Sequence, residues 1–214
     1  MAALLRKGLA ELLGTLLFVF TIIGAINAQT YAPLVIGFAL MVFVYATGHI
    51  SGGHLNPAVS FGAWIRGAIN AKEFVVYVVA QLVGGALGAI LSMDIWPTPT
   101  SGMKLEIIPA FIAELVFTFA LVFVVLNTAT SKDHPTNSFY GLAIGTTVFI
   151  GAATVGGISG GSFNPAVAFG LSVGGQFQWA YIWLYVLAPL IGAAIAAYAF
   201  RVLNPHDLAK PKTK

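Results

Sequence analysis

Residues 50–62 read Ile-Ser-Gly-Gly-His-Leu-Asn-Pro-Ala-Val-Ser-Phe-Gly, and residues 158–170 read Ile-Ser-Gly-Gly-Ser-Phe-Asn-Pro-Ala-Val-Ala-Phe-Gly. The two blocks align without a gap at an offset of 108 residues, and ten of the thirteen positions are identical. Further residues keep the same offset, among them Gly84 with Gly192. The chain therefore consists of two copies of one structural unit.

Each block predicts a short helix with a glycine-rich approach. Asn56 and Asn164 suit the N-cap position of a helix. Pro57 and Pro165 suit the first turn that follows, where the missing N–H costs nothing. A glycine ends each apolar run well short of the about 20 residues that a membrane span needs. Because short apolar segments at matching places in two halves mark transport sites, these half-helices are the candidate functional elements.

The composition indicates a membrane protein. Of 214 residues, 58% are hydrophobic and 8% are charged, and the mean hydropathy is +0.91. Soluble domains carry roughly 25% charged residues. The absence of cysteine excludes disulfides, zinc–thiolate sites and thiol catalysis. Six segments are long and apolar enough to cross a bilayer, at roughly residues 8–29, 33–49, 71–93, 107–128, 138–156 and 179–202.

The repeat then dictates the topology. Residues 1–105 and residues 106–202 each hold three spans and one half-helix, and residues 203–214 form a basic cytoplasmic tail. Because three crossings are an odd number, the second half is upside down relative to the first, and the half-helices meet near the midplane. We predict an all-α membrane protein with six transmembrane helices, two re-entrant half-helices and an inverted repeat.

The positive charges predict the orientation. With the amino terminus inside, nine of the ten lysine and arginine residues lie in inner segments, and only Lys104 lies outside. Inner loops carry such an excess, so both termini are expected in the cytoplasm. Short loops and a compact chain favour the plasma (inner) membrane, with an organellar membrane left open.

The approach to each half-helix is expected to line a pore. Non-helical backbone at membrane depth must be buried or must line a water-filled path. The candidate lining backbone comprises Gly53, His54 and Leu55 in the first copy and Gly160, Ser162 and Phe163 in the second. Two facing helix N-termini, each with about half a positive charge, would repel protons and cations. A water molecule could accept from both asparagine amides there, which breaks a proton wire.

Two glutamates lie inside predicted spans. Glu11 and Glu114 stand in Ala-Glu-Leu triplets that recur at an offset of 103 residues. An intramembrane carboxylate is a functional candidate, so a proton relay is one interpretation. The favoured interpretation is structural, because a carboxylate can accept the unpaired N–H groups of a re-entrant loop. His54 has no second ligand nearby in sequence, and no metal or cofactor is predicted.

These motifs resemble those of the aquaporin, or major intrinsic protein, family. The resemblance rests on both Asn-Pro-Ala boxes, on the two Ala-Glu-Leu triplets and on Ala188-Pro189 in the last span, and it covers nearly the whole chain. It implies a right-handed bundle, one pore per protomer, a homotetramer, and a channel for water and small neutral solutes rather than an enzyme. The boxes comprise Asn56, Pro57, Ala58, Asn164, Pro165 and Ala166.

The resemblance also implies a narrow filter on the outer side. Spacing from the two asparagines puts its four positions at Ile36, Ala152, Gly161 and Val167. Most members carry arginine in place of Val167, and water-selective members carry histidine in place of Ala152. The four residues here predict a wider, apolar filter that passes water, hydrogen peroxide, ammonia and urea, with glycerol as a further candidate. The plant vacuolar branch of the family resembles this pattern at Val167.

One alternative function stays open at this point. Ion-coupled secondary transporters also use inverted repeats and broken helices. Against that interpretation, the predicted pore has no acidic residue beyond the two buried glutamates. A flux that saturates and depends on an ion gradient would favour it. A structural or adhesive protein is disfavoured by the short outer loops, and an enzyme by the lack of paired carboxylates or a catalytic triad.

Overall fold

The computed structural model describes residues 1–29 and 31–208, and this part of the chain is all-helical. It contains six helices that are long and apolar enough to cross a membrane, so the predicted fold class is confirmed. Residues 209–214 of the predicted tail lie outside the described residues. The α-helices are α1 (Ala2–Ala28), α2 (Ala32–Ser51), α3 (Pro57–Arg66), α4 (Ala71–Met93), α5 (Ile107–Ala129), α6 (Tyr140–Ser159), α7 (Pro165–Val173) and α8 (Ile182–Leu203).

The half-helices α3 and α7 begin where the sequence predicts. The side-chain oxygen of Asn56 accepts the Ala58 N–H at 2.8 Å, and that of Asn164 accepts the Ala166 N–H at 2.9 Å. Each asparagine is thus the N-cap of its half-helix. Helix α3 ends at Gly67, whose φ of +85° is a left-handed conformation that glycine adopts without strain.

Helices of the same repeat pack closely through glycine. Helix α1 lies along α4, and α5 lies along α8. A side chain on Gly84 would collide with the carbonyl of Leu12, and one on Gly192 would collide with the carbonyl of Leu115. Small residues let helix backbones approach in a membrane, where van der Waals packing drives association. Contacts of α3 with α8 and of α7 with α4 then join the two repeats.

Six crossings bring the start of α1 and the end of α8 to one face of the bundle, which we call the terminal face. Helix α2 ends at Ser51 on that face, so the first re-entrant loop (residues 52–55) enters from it and α3 runs back to it. Helix α6 ends at Ser159 on the opposite face, so the second re-entrant loop (residues 160–163) and α7 are arranged in the reverse sense. The two half-helices therefore meet by their N-termini inside the bundle.

The segment after α8 is fastened to the terminal face. Residues 205–208 form a short 3₁₀ helix, and the buried Asp207 carboxylate lies 3.5 Å from the guanidinium of Arg66 at the end of α3. Asp207 also accepts the backbone N–H of Lys132 at 3.0 Å. Arg66 donates to the carbonyl of Thr130 at 2.9 Å and lies over the ring of Phe200. These contacts join the end of α3, the loop between α5 and α6, and the 3₁₀ helix that follows α8.

Candidate functional site: a central pore

The two half-helices are joined by a pair of reciprocal hydrogen bonds. The Asn56 amide nitrogen donates to the carbonyl of Phe163 at 2.9 Å, and the Asn164 amide nitrogen donates to the carbonyl of Leu55 at 2.8 Å. An amide nitrogen carries two hydrogens, so each asparagine keeps one for a permeant molecule. We call this arrangement the asparagine pair.

Backbone conformation makes this exchange possible. Leu55 has a φ of +50° and Phe163 a φ of +48°, a left-handed region that residues other than glycine rarely occupy. The turn aims each carbonyl at the asparagine of the other repeat. Non-glycine residues in this region cost of order 1–3 kcal/mol and persist only where the surroundings hold them. Their occurrence at equivalent places in both loops marks a site that packing holds in place.

A cavity of about 270 Å³ passes the asparagine pair. It is lined by both asparagines, by all four predicted filter residues and by four of the six predicted loop residues. Leu55 and Phe163, the other two predicted loop residues, have enclosed side chains and direct their carbonyls at the asparagine pair. The predicted residues around the cavity are Ile36, Gly53, His54, Asn56, Ala152, Gly160, Gly161, Ser162, Asn164 and Val167.

The remaining residues of the Asn-Pro-Ala boxes lie behind the asparagines. Pro57 and Ala58 begin α3, and Pro165 and Ala166 begin α7, and all four are buried. The proline rings contribute no N–H to the helix ends. These residues start the half-helices behind the asparagines, while Asn56 and Asn164 themselves line the cavity.

Glu11 is fully buried and supports the first re-entrant loop. One carboxylate oxygen accepts the hydroxyl of Ser51 at 2.6 Å and the backbone N–H of His54 at 3.0 Å. The other accepts the backbone N–H of Leu55 at 2.7 Å and the side-chain amide of Gln81 at 2.8 Å. Four donors therefore converge on one carboxylate, which satisfies N–H groups that water cannot reach.

Glu114 has the same arrangement around the second re-entrant loop. Its carboxylate accepts the hydroxyl of Ser159 at 2.7 Å and the backbone N–H groups of Ser162 and Phe163 at 3.0 and 2.7 Å. Each donor is the counterpart, at the offset of 108, of a donor to Glu11. These hydrogen bonds are the ones expected of a carboxylate that supports loop backbone.

Comparison with known sequences decides the family. The model of the Major intrinsic protein family matches residues 1–200. The chain belongs to this family. It is 36% identical over 223 residues to the glycerol uptake facilitator protein-like 6 of Lactiplantibacillus plantarum, covering 95% of this chain and 100% of that protein. It is also 36% identical over 218 residues to a probable TIP-type aquaporin of Medicago truncatula, covering 93% of this chain and 87% of that protein.

A solved structure shares the fold of this major intrinsic protein. The aquaglyceroporin of Plasmodium falciparum superimposes with a TM-score of 0.81 at 24% identity, covering 95% of this chain and 98% of that one. The family and the cavity make this protein a passive channel for water and small solutes within a membrane. It is not an enzyme.

The channel has a hydroxyl support that the sequence analysis missed. The Tyr77 hydroxyl donates to the carbonyl of Ser51 at 2.6 Å, and the Tyr185 hydroxyl donates to the carbonyl of Ser159. Both tyrosines are buried beside the start of a re-entrant loop. Tyr77 and Tyr185 are 108 residues apart, as are the two serines, so the repeat offset was the signal that could have found them.

The first re-entrant loop has a polar network without a counterpart in the second. Ser60 donates its hydroxyl hydrogen to the carbonyl of Asn56 at 3.0 Å and accepts the Gln81 amide at 3.0 Å. Its oxygen also lies 3.1 Å from His54 Nδ1. The Ser60 oxygen therefore contacts the Asn56 carbonyl, the Gln81 amide and the His54 ring together. The counterparts of Ser60 and Gln81 are Ala168 and Pro189.

The apolar wall of the channel was also missed from sequence. Leu40 of α2 and its counterpart Val148 of α6 line the cavity, and so do Val59 of α3 and its counterpart Val167 of α7. Single apolar residues inside apolar spans carry no signal of their own, since every span offers many of them. Further lining residues come from α1 and α5, namely Phe18, Ile22, Leu121 and Val125.

Proposed function

We propose that the channel passes water together with hydrogen peroxide, ammonia and urea, that glycerol is its largest candidate solute, and that it excludes protons and ions. The observation that carries the proposal is the set formed by Ile36, Ala152, Gly161 and Val167 around the cavity. Their side chains offer no fixed donor and no positive charge. Small uncharged molecules therefore meet neither a guanidinium nor a bulky ring there.

Exclusion of protons is supported by the asparagine pair. Two half-helix N-termini point at the same place, and each contributes about half a positive charge. The one free hydrogen on each asparagine amide makes the midpoint a place where a permeant water must accept two hydrogen bonds. Its own hydrogens then point away from the centre, which interrupts proton transfer along the file. A cation would lose hydration at a positive potential and is rejected.

Flux through reconstituted vesicles tests the proposal. Stopped-flow light scattering would compare water, urea and glycerol, with peroxide and ammonia followed by enclosed dyes. Water flux well above that of protein-free vesicles is expected, with measurable peroxide, ammonia and urea flux. Val167→Arg should reduce the larger solutes more than water, because a guanidinium would occupy the lumen. Water flux without peroxide, ammonia or urea flux would remove the proposed solute range.

Ion-coupled transport fits the site less well. A coupling ion needs a carboxylate with free lone pairs, yet Glu11 already accepts four hydrogen bonds and Glu114 accepts three. A flux that saturates and follows an imposed proton or sodium gradient would favour the transporter. A flux linear in solute concentration and indifferent to such gradients is expected of the channel.

We also propose a cytoplasmic terminal face, a plasma (inner) membrane location and a homotetramer. The orientation is supported by the charge distribution, in which Lys104 alone among the seven lysine and arginine residues of the described ranges lies on the opposite face. Since the chain has no cysteine, single-cysteine variants test it in intact cells. Lys104→Cys should react with an impermeant maleimide from outside, and Lys72→Cys only after lysis. Native mass spectrometry would test the tetramer.

A further inference from the structure

The repeat divides the cavity wall into two rings, one on each side of the asparagine pair. Each ring takes equivalent residues from a re-entrant loop, a half-helix and a span. The terminal-side ring comprises Gly53, His54, Val59 and Ile144, whereas Val44 lies against Gly53 outside the cavity lining. The opposite-side ring comprises Gly161, Ser162, Val167 and Ile36, their counterparts at the offset of 108, together with Ala152, the counterpart of Val44.

The packing of the two rings supports this equivalence. A methyl group on Gly53 would lie 3.2 Å from the Cα atom of Val44, and one on Gly161 would lie 3.1 Å from the Cα atom of Ala152. In both rings the loop glycine therefore lies against the same position of a span. Only a residue without a side chain fits there.

The lining residues of the two rings differ in bulk at one matched position. Isoleucine, valine and glycine recur in both rings, whereas His54 of the terminal-side ring has Ser162 as its counterpart. The larger imidazole side chain makes the terminal-side ring the tighter one at this position.

Exposure at two matched positions points the same way. Ile144 is 5% exposed, whereas its counterpart Ile36 is partly exposed. Gly53 is buried, whereas Gly161 keeps part of its surface accessible. Val59 and Val167 are buried alike, as are His54 and Ser162. The opposite-side ring is therefore the more open one at Ile36 and Gly161.

The histidine of the terminal-side ring is held in place. Its Nδ1 is bonded to Ser60, whose hydroxyl is in turn fixed by Gln81. The ring of His54 also packs edge-on against that of Tyr77, with the centroids 5.2 Å apart. A ring fixed on two sides cannot swing aside to admit a wider molecule without breaking these contacts.

We propose that the terminal-side ring, and not the opposite-side ring, is the constriction that sets the size limit for solutes. This inference rests on the proposed channel function. The family resemblance leads one to expect the narrow filter at Ile36, Ala152, Gly161 and Val167. Here that filter has neither an aromatic ring nor a guanidinium, so discrimination by size passes to His54 and Ile144 on the other side of the asparagine pair.

A matched pair of substitutions tests the proposal, because the same residue stands at equivalent places in the two rings. Ile144→Ala widens the terminal-side ring and Ile36→Ala widens the opposite-side ring by the same atoms. The readout is glycerol permeability relative to water permeability in proteoliposomes. Ile144→Ala should raise this ratio on the order of tenfold, equivalent to about 1.4 kcal/mol on the barrier. Ile36→Ala should raise it much less, since the opposite-side ring is not the narrower of the two.

A second matched pair guards against loss of folding. Val59→Ala and Val167→Ala remove the same atoms from the two rings, since both valines line the cavity. Val59→Ala should raise the ratio even if Ile144→Ala conducts no water, and Val167→Ala should raise it much less. A rise in Ile36→Ala with none in Ile144→Ala and Val59→Ala would overturn the proposal. Wild-type water flux equal to that of bare lipid would instead refute the channel function itself.

Discussion

Removal of the Glu114 carboxylate should lower the thermal stability of the channel, because Glu114 supports a loop and does not relay protons. In the structure, Glu114 accepts the hydroxyl of Ser159 and the backbone N–H groups of Ser162 and Phe163. All of these groups are buried beside the second re-entrant loop. Glu114→Ala leaves both N–H groups without an acceptor, so the loop that presents Asn164 loses its support.

The expected cost follows from the number of stranded donors. A buried donor left without its partner costs about 1–3 kcal/mol, so two backbone N–H groups cost roughly 2–6 kcal/mol. For a chain of this size 1 kcal/mol shifts the Tm by about 2–4 °C, so a fall of at least about 4 °C is expected. The Tm of Glu114→Gln should lie between those of the wild type and Glu114→Ala. Its amide oxygen still accepts a hydrogen bond, but its NH₂ group would face the donors of the loop.

Thermal unfolding of the purified protein in detergent, followed by tryptophan fluorescence, measures this effect. Glu106→Ala is the matched control, since it removes an exposed carboxylate at the start of the same helix, α5. The control should keep the wild-type Tm. An unchanged Tm in Glu114→Ala, together with loss of a gradient-driven flux, would refute the structural role and favour a proton relay.

Three further substitutions test other parts of the structure. Asp207→Asn should lower the Tm while water flux persists, because it weakens the buried ion pair with Arg66 at a cost of about 1–3 kcal/mol. A Tm equal to that of the wild type would show that this ion pair does not hold the segment after α8 in place. Gly156→Leu should reduce urea and glycerol flux, because Gly156 lines the cavity and a side chain there enters open space. The control Ala153→Leu, at an exposed position of the same helix, should keep both fluxes, and equal fluxes in the two variants would contradict the placement of Gly156 in the pore wall. Tyr185→Phe should lower the free energy of unfolding by about 1 kcal/mol or more, because a buried loop carbonyl loses its donor. A Tm equal to that of the wild type in thermal unfolding would contradict this role.

Much of the fold was predictable because strong local signals recur. The Asn-Pro pairs predicted capped half-helices at Asn56 and Asn164, and the caps are present. An offset of 108 residues then related one half of the chain to the other. The same offset relates the unpredicted Tyr77 and Tyr185, so a fuller use of the repeat would have found them.

Other features depend on contacts that leave no pattern in the sequence. The His54, Ser60 and Gln81 network occurs in one repeat only, so the repeat gives no hint of it. Asp207 lies 141 residues beyond Arg66, in a stretch whose composition indicates only a polar chain end. The relative width of the two rings depends on how far each side chain reaches into the lumen, which spacing alone does not determine.

The most direct test of the asparagine pair measures water and protons in the same vesicles. Proteoliposomes containing a pH-sensitive dye would be given an osmotic gradient and, separately, a pH gradient with a potassium–valinomycin clamp. We expect water to cross well above the rate of protein-free vesicles while the internal pH changes at the protein-free rate. Proton flux that rises in proportion to the protein, or water flux no faster than through lipid alone, would contradict the pore described above.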